Sequence, residues 1–208
     1  MKVAAVVPAY NEEKTIAVVI EALLEAPSVD EIAVISDGST DGTAAIARKY
    51  PVKVIELPEN VGKGGAMKIG AQETKGDILL FIDADLIGLT KEHIENLLRP
   101  VINDEADMTI GLFEDGRLAT DLAQKIAPFL SGQRAIKRSV FETIPELEHT
   151  RYGIEVALSR YAEEHNIRVT SVNLPDMTQI MKEEKRGFLK GFCARMKMYW
   201  EIVKSVKM

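Results

Sequence analysis

The first half of the chain alternates short apolar runs with helical segments, and this alternation constrains the fold more than any other feature. Four runs rich in Val, Ile and Leu have the length of buried strands, at residues 3–7, 32–35, 52–57 and 78–82. Between them lie segments with helical spacing of small and aliphatic residues, at 15–25, 43–50 and 64–73. Strands alternating with helices form right-handed crossovers around a mostly parallel sheet. The pattern therefore predicts an α/β domain with helices flanking the sheet.

The second half of the chain continues this pattern less regularly. Thr90 is placed to cap a helix over residues 91–103, and a fifth strand is expected at 108–110. Further helices are expected at 118–130, 155–165 and 188–206, and further strands at 133–137 and 167–172. Without an internal repeat or a linker, the simplest organisation is one domain over residues 1–180. Residues 181–208 would form a basic amphipathic helix, either part of that domain or an interface.

Charge and cysteine content exclude several functional classes. The chain has 208 residues, a net charge of −6 and one cysteine, which excludes an internal disulfide and a cysteine-based zinc site. The acidic body argues against nucleic-acid binding, which needs a broad basic face. The first apolar run ends at Pro8, too early for a signal peptide, and no stretch approaches the roughly 18 apolar residues of a spanning helix. We therefore expect a soluble, cytoplasmic protein.

Four polar or glycine-rich segments follow strands or begin helices in the predicted sheet. They are Pro-Ala-Tyr-Asn-Glu at 8–12, Asp-Gly-Ser-Thr-Asp at 37–41, Gly-Lys-Gly-Gly at 62–65 and Asp-Ala-Asp at 83–85. Each alone is also an ordinary turn sequence. Ligands of open parallel sheets bind beyond the carboxyl ends of the strands, however, where these segments would meet. Together they predict a binding site at that edge.

Asp83 and Asp85 carry the strongest local signal. Residues i and i+2 of a strand point to the same face, with backbones roughly 7 Å apart. Two carboxylates so placed favour a hard divalent cation, Mg²⁺ or Mn²⁺, whose coordination is completed by water and phosphate oxygens. The alternative is a solvated loop in which Asp85 caps a turn.

Lys63 lies in a glycine-rich segment at the predicted start of a helix. Free backbone N–H groups and the helix dipole favour anions there, and the lysine adds a point charge for a phosphate. The segment is not a Walker A loop, because Gly64 stands where Ser or Thr would be needed. It also lacks the last glycine of the dinucleotide-binding fingerprint and follows the third strand, not the first.

In this order, the four segments resemble those of glycosyltransferase family 2, whose members have the GT-A fold. The later segments at 131–135 and 152–155 are similar to those of dolichol-phosphate mannosyltransferases and glucosyl-3-phosphoglycerate synthases. The resemblance covers about residues 3–160. It implies metal-dependent transfer of a hexose from a UDP- or GDP-linked sugar to a phosphorylated acceptor. That acceptor would be a polyprenyl phosphate or a small phosphorylated acid such as phosphoglycerate.

The resemblance also implies roles for individual residues. Nucleotide-sugar binding is implied for Pro8, Ala9, Tyr10, Asn11, Glu12, Asp37, Lys63, Asp83 and Ala84. Contact with the sugar or acceptor is implied for Gly132, Gln133, Arg134 and Tyr152. Catalytic roles are implied for Asp85 and for Glu155, the latter as an acceptor-side base or sugar contact. Some relatives supply a third metal ligand where this chain has Ile87, or from a late histidine; here Asp176 or Gln179 is the candidate replacement.

Two other functions fit parts of the same pattern. A nucleotidyltransferase shares the sheet and the metal carboxylates, but it would need a basic glycine-rich loop where this chain has residues 8–11. A non-catalytic module that binds nucleotide sugars would have lost its acceptor site.

The predicted C-terminal helix leaves two alternatives open. It combines an apolar stripe with basic flanks and the pair Tyr199-Trp200. The stripe is expected to pack on the domain or on a second copy in a homodimer. Alternatively, it would bind an anionic membrane surface and place the protein peripherally at the inner face of the membrane.

Overall fold

The structure is a computed structural model that describes residues 1–113, 131–145 and 154–179. Its core is a seven-stranded sheet. The strands are β1 (Val3–Ala9), β2 (Glu31–Ser36), β3 (Lys53–Glu56), β4 (Ile78–Phe81), β5 (Leu86–Ile87), β6 (Met108–Phe113), β7 (Arg134–Lys137), β8 (Val169–Leu174) and β9 (Thr178–Gln179). The helices are α1 (Ile16–Glu25), α2 (Thr43–Ala47), α3 (Lys63–Gln72), α4 (Lys91–Ile102), α5 (Arg138–Phe141) and α6 (Ile154–Glu164). Strands β5 and β9 pair separately from the main sheet.

The main sheet is mostly parallel, as the alternation of strands and helices predicts. Its order is β3-β2-β1-β4-β7-β6-β8. Strands β3, β2, β1 and β4 run parallel, and β6 runs parallel to β8. Strand β7 is the exception, since it lies antiparallel to both β4 and β6. This inserted strand was not predictable as antiparallel, and it brings residues 131–134 beside the end of β4.

Both faces of the sheet are covered, which explains why its first strands are continuous apolar runs. Along β1, Val3, Ala5 and Val7 pack in the cluster that contains the buried residues of α1 and α4. The alternate residues Ala4 and Val6 pack in the cluster that contains the buried residues of α3 and α6. The sheet is therefore the middle layer of a three-layer arrangement.

Most predicted elements are present, with shifts at their ends. Helix α2 ends at Ala47 rather than residue 50, and Tyr50 precedes Pro51, a position that disfavours helical backbone. The predicted cap of α4 is confirmed, because the Thr90 hydroxyl accepts from the backbone N–H of His93 at 3.4 Å. The short elements β5, α5 and β9 were not predicted. The helices expected at 118–130 and 188–206 lie outside the described residues.

No helix in the described part of the chain is long and apolar enough to cross a membrane. Contacts divide the chain into a unit over residues 1–178 and another over residues 179–208. Apart from Gln179, the second unit lies outside the described residues. The expected C-terminal helix, with its dimer and membrane alternatives, therefore stays a prediction.

Candidate active site

The segments at 8–12 and 37–41 are joined by hydrogen bonds at the carboxyl edge of the sheet. The backbone N–H of Asn11 donates to the hydroxyl of Ser39 at 3.2 Å, and that of Thr40 donates to the side-chain oxygen of Asn11 at 2.8 Å. Asn11 adopts a left-handed backbone with a φ of 58°, which asparagine tolerates better than most residues. The two segments thus form one bonded unit, with the side chain of Tyr10 exposed beside it.

Asp37 connects this unit to the start of α3. Its side chain is buried, and its two oxygens accept from the backbone N–H groups of Val61 at 2.7 Å and Gly62 at 3.0 Å. Gly62 has a φ of 87°, a conformation that favours glycine. In this arrangement Asp37 shapes the loop that presents Lys63. Its expected contact with a nucleotide stays a prediction.

The center of the site is an ion cluster formed by Lys63, Asp83 and Glu155. The ammonium of Lys63 lies 2.5 Å from Asp83 Oδ1 and 2.6 Å from Glu155 Oε1. The three side chains are 28%, 15% and 18% exposed, so the cluster is mostly buried but still reached by solvent. It joins the start of α3, the end of β4 and the first turn of α6. Residues 92 positions apart therefore meet in one site.

The neighbouring segment at 131–134 reaches the cluster through the register of β7. Arg134 pairs with Phe81 across the antiparallel ladder, and continuing that register by two residues sets Gly132 opposite Asp83. Accordingly, the buried amide of Gln133 donates to Asp83 Oδ2 at 3.1 Å. A Cβ atom at position 132 would lie 2.7 Å from Asp83 Oδ1 and closer still to Asp83 Oδ2 and Lys63 Nζ. The cluster therefore occupies space that only glycine leaves.

The two basic side chains of the site, Lys63 and Arg134, keep their positive charge at neutral pH. Burial acts to lower the pKa of the Lys63 ammonium, but the attraction of Asp83 and Glu155 outweighs it and holds that pKa above its ordinary value. Burial lowers the pKa of the Arg134 guanidinium to about 10, and the charges of Glu155 and Asp83 oppose that shift. Two positive groups thus stand beside the carboxylates Asp83 and Glu155.

Arg134 lies behind the cluster and is 1% exposed. Its Nε donates to the carbonyl of Ser131 at 3.1 Å. One terminal nitrogen donates to the carbonyl of Glu155 and to the hydroxyl of Ser159, both at 3.0 Å. Arg134 therefore fixes the first turn of α6, and with it the position of Glu155. Its expected contact with a sugar or acceptor stays a prediction, since these donors are directed at the chain itself.

Replacing Arg134 with Met should lower the free energy of unfolding by about 3 kcal/mol, because buried carbonyl groups lose their donors. Urea denaturation of the variant measures this. Arg48→Met is a matched control, since Arg48 is 55% exposed and forms a surface ion pair with Glu56. That control should change stability by less than about 1 kcal/mol. Equal effects of the two substitutions would contradict the positioning role of Arg134.

The carboxylates Asp83 and Asp85 fit a hard divalent cation in chemistry, and both are half-buried. They lie in the turn that follows β4 and not on the strand itself, where the spacing of two residues had been expected to place them. Residues 1–113, 131–145 and 154–179 contain no group of three His, Cys, Asp or Glu side chains placed to hold a metal. A cation at this pair would therefore need ligands from water and a substrate diphosphate, which is how Mg²⁺ is usually held. The two carboxylates therefore fit a metal site whose coordination is complete only when the substrate is bound.

Asp176 follows β8, with a left-handed φ of 56°. Its backbone oxygen lies close to Gly88, and a Cβ added at position 88 would be only 2.5 Å from that oxygen. It is not part of a three-ligand group with Asp83 and Asp85 in the described structure. Its role as a third ligand stays a prediction. Tyr152, which was predicted to contact the sugar or acceptor, lies outside the described residues.

Sequence reasoning missed Ser159 and gave no separate role to Ser131. The hydroxyl of Ser159 donates to the carbonyl of Glu155, one helical turn earlier, at 2.9 Å. The hydroxyl of Ser131 bonds to the carbonyl of Gly111 and lies 3.1 Å from Gln133 Oε1. The spacing of four residues between Glu155 and Ser159 was the only local signal. Both serines complete the hydrogen bonding around Arg134 and Gln133.

The sequence model of glycosyl transferase family 2 matches residues 4–170. Glucosyl-3-phosphoglycerate synthase from Mycobacterium tuberculosis is 30% identical over 194 residues, which cover 75% of this chain and 59% of that protein. Dolichyl-phosphate beta-glucosyltransferase from Drosophila melanogaster is 35% identical over 141 residues, which cover 58% of this chain and 43% of that protein. The chain thus spans about half the length of these curated relatives.

A solved structure with a similar fold is that of the M. tuberculosis glucosyl-3-phosphoglycerate synthase in complex with Mn²⁺, uridine diphosphate and glucosyl-3-phosphoglycerate. The TM-score is 0.72 at 27% identity, and the match covers 86% of this chain and 72% of that one. The expected GT-A arrangement of a mostly parallel sheet flanked by helices is confirmed.

Proposed function

This chain belongs to glycosyl transferase family 2, and on that basis we propose that it transfers a hexose from a UDP-linked sugar to a phosphorylated acceptor with Mg²⁺ or Mn²⁺. The observation that carries the proposal is the cluster at the carboxyl edge of the sheet, where Lys63 contacts Asp83 and Glu155 and Asp85 follows two residues after Asp83. The M. tuberculosis relative was crystallised with uridine diphosphate and Mn²⁺ or Mg²⁺.

The donor side of the reaction is assigned to the bonded segments at 8–12 and 37–41 and to the start of α3. Tyr10 is exposed, and the backbone N–H groups at the start of α3 favour a phosphate, as they do at helix N-termini in general. Asp83 and Asp85 would hold the divalent cation. When bound, that cation neutralises charge on the leaving diphosphate as a Lewis acid. Lys63 adds a second positive charge at the same place.

Glu155 is assigned to the acceptor or sugar side, because it lies across Lys63 from Asp83. An acceptor hydroxyl, as on a phosphorylated acid, needs positioning and loss of its proton, which a carboxylate can accelerate by roughly 10²–10⁴-fold. An acceptor that is already a phosphate anion needs no base, and Glu155 would then orient the sugar. We favour the small phosphorylated acid, since the structural match to a synthase of that kind covers 86% of this chain.

A polyprenyl phosphate is the second candidate acceptor, supported by the 35% identity to a dolichyl-phosphate glucosyltransferase. The basic residues 182–208 would then contact the inner face of the membrane. Release of UDP from UDP-glucose in the presence of 3-phosphoglycerate or of polyprenyl phosphate distinguishes the two. Release of pyrophosphate from a nucleoside triphosphate would instead identify a nucleotidyltransferase.

Thermal unfolding with UDP, GDP, CDP or dTDP, each with Mn²⁺, Mg²⁺ or EDTA, tests the donor assignment. UDP with Mn²⁺ should raise the melting temperature, since a ligand at 100 times its dissociation constant stabilises the folded state by about 2.7 kcal/mol. EDTA should remove most of that increase. No increase with any nucleotide would contradict the proposed function, and binding without turnover would favour a non-catalytic module.

A further inference from the structure

Lys63 occupies the position at which a cation would reach Asp83. Its ammonium lies 2.5 Å from Asp83 Oδ1, while Asp83 Oδ2 accepts from Gln133. Both oxygens of this candidate metal ligand are therefore engaged by groups of the chain. The missing side chain at Gly132 leaves the room that the ammonium fills.

Lys63 also has a second partner that does not compete for a metal at the Asp83 pair. Glu155 Oε1 lies 2.6 Å from the ammonium and belongs to α6, on the other side of the cluster. The lysine, whose side chain is only 28% exposed, can therefore leave Asp83 without becoming an unpaired buried charge. A diphosphate at the start of α3 would attract the same ammonium, since Lys63 is the first residue of that helix.

We propose that Lys63 is an internal cation that competes with the divalent ion for Asp83, so that tight metal binding requires the nucleotide. Without nucleotide, the ammonium neutralises Asp83 and repels a second cation. With a diphosphate bound, Lys63 turns to the phosphates and Glu155, and Asp83 becomes available. The coupling is reciprocal, so the metal strengthens nucleotide binding by the same factor. This inference rests on the proposed function, because it assumes a divalent ion at Asp83 and Asp85.

Calorimetric titration of the full chain with Mn²⁺, without and with UDP, tests the proposal. Without UDP, Lys63→Met should bind Mn²⁺ about tenfold more tightly than the wild type, as removal of a nearby like charge predicts. UDP should strengthen Mn²⁺ binding more in the wild type than in this variant. Lys49→Met is the control, since Lys49 is exposed and directly follows Arg48, the C-cap residue of α2. This variant should bind Mn²⁺ as the wild type does, both without and with UDP.

Glu155→Gln gives a second test in the opposite direction, and it applies even if Lys63→Met does not fold. Lys63 would then retain only Asp83 as an ionic partner in the cluster, so Mn²⁺ binding without UDP should weaken. Unchanged or weaker Mn²⁺ binding by Lys63→Met, or unchanged binding by Glu155→Gln, would overturn the competition. If Asp85→Asn binds Mn²⁺ as tightly as the wild type in the presence of UDP, the proposed metal site is overturned, and the competition with it.

Discussion

Replacing Asp85 with Asn should remove the Mn²⁺-dependent stabilisation by UDP and reduce sugar transfer by more than about 100-fold. Loss of a group that only orients a metal ligand already costs 10- to 100-fold, and Asp85 is assigned as a ligand itself. The fold should persist, because Asn keeps the size of the side chain and removes one of two like charges at the end of β4. Initial rates of UDP release and the melting temperature without ligand measure the two effects.

Asp176→Asn is the matched control for that variant. Asparagine tolerates the left-handed backbone at position 176, so the substitution removes a carboxylate without straining the turn. If Asp176 is not a ligand, transfer and Mn²⁺ dependence should stay near those of the wild type. A loss comparable to that of Asp85→Asn would identify Asp176 as the third ligand. Near-normal transfer by Asp85→Asn would contradict the metal assignment.

Replacing Gly132 with Ala should reduce kcat/KM by about 100-fold, the effect expected when reacting groups are displaced by about 1 Å. The added Cβ would overlap Asp83 and Lys63. The overlapped atoms are the ends of two side chains and not backbone atoms, so the protein can relieve the clash by moving them. The free energy of unfolding should therefore fall by only about 1 kcal/mol while the ion cluster is displaced.

Gly42→Ala is the control for the added methyl group. The nearest atom to a Cβ at position 42 is Glu13 Oε2, at 3.1 Å, and the backbone there has a negative φ of −74°. This variant should keep near-normal kcat/KM, measured in the same assay. Full activity of Gly132→Ala would show that the cluster tolerates displacement, and a large loss of stability in urea would show that the residue serves the fold.

The periodicity of the sequence was sufficient to predict the sheet, because a strand buried on both faces must be apolar at every position. The run at 78–82 and the helix after Thr90 are examples, and both are present within one residue of their expected ends. Asp83 and Asp85 are two residues apart in the sequence, but both follow Phe81, the last residue of β4, so the turn after the strand places them. The contact between Asp83 and Lys63 was predictable only as proximity at one edge of the sheet.

The sequence by itself determined which polar and charged residues lie at the carboxyl edge of the sheet, because strand ends and helix starts follow from local patterns of apolar and polar residues. Only the tertiary structure decided how those groups pair. Strand β7 inserts antiparallel beside β4, which sets Gly132 against Asp83 and buries Arg134 behind Glu155. The contact between Lys63 and Glu155 joins residues 92 positions apart. Such pairings depend on strand order and register. These are properties of the packed chain, and no periodic pattern of apolar residues in the sequence encodes them.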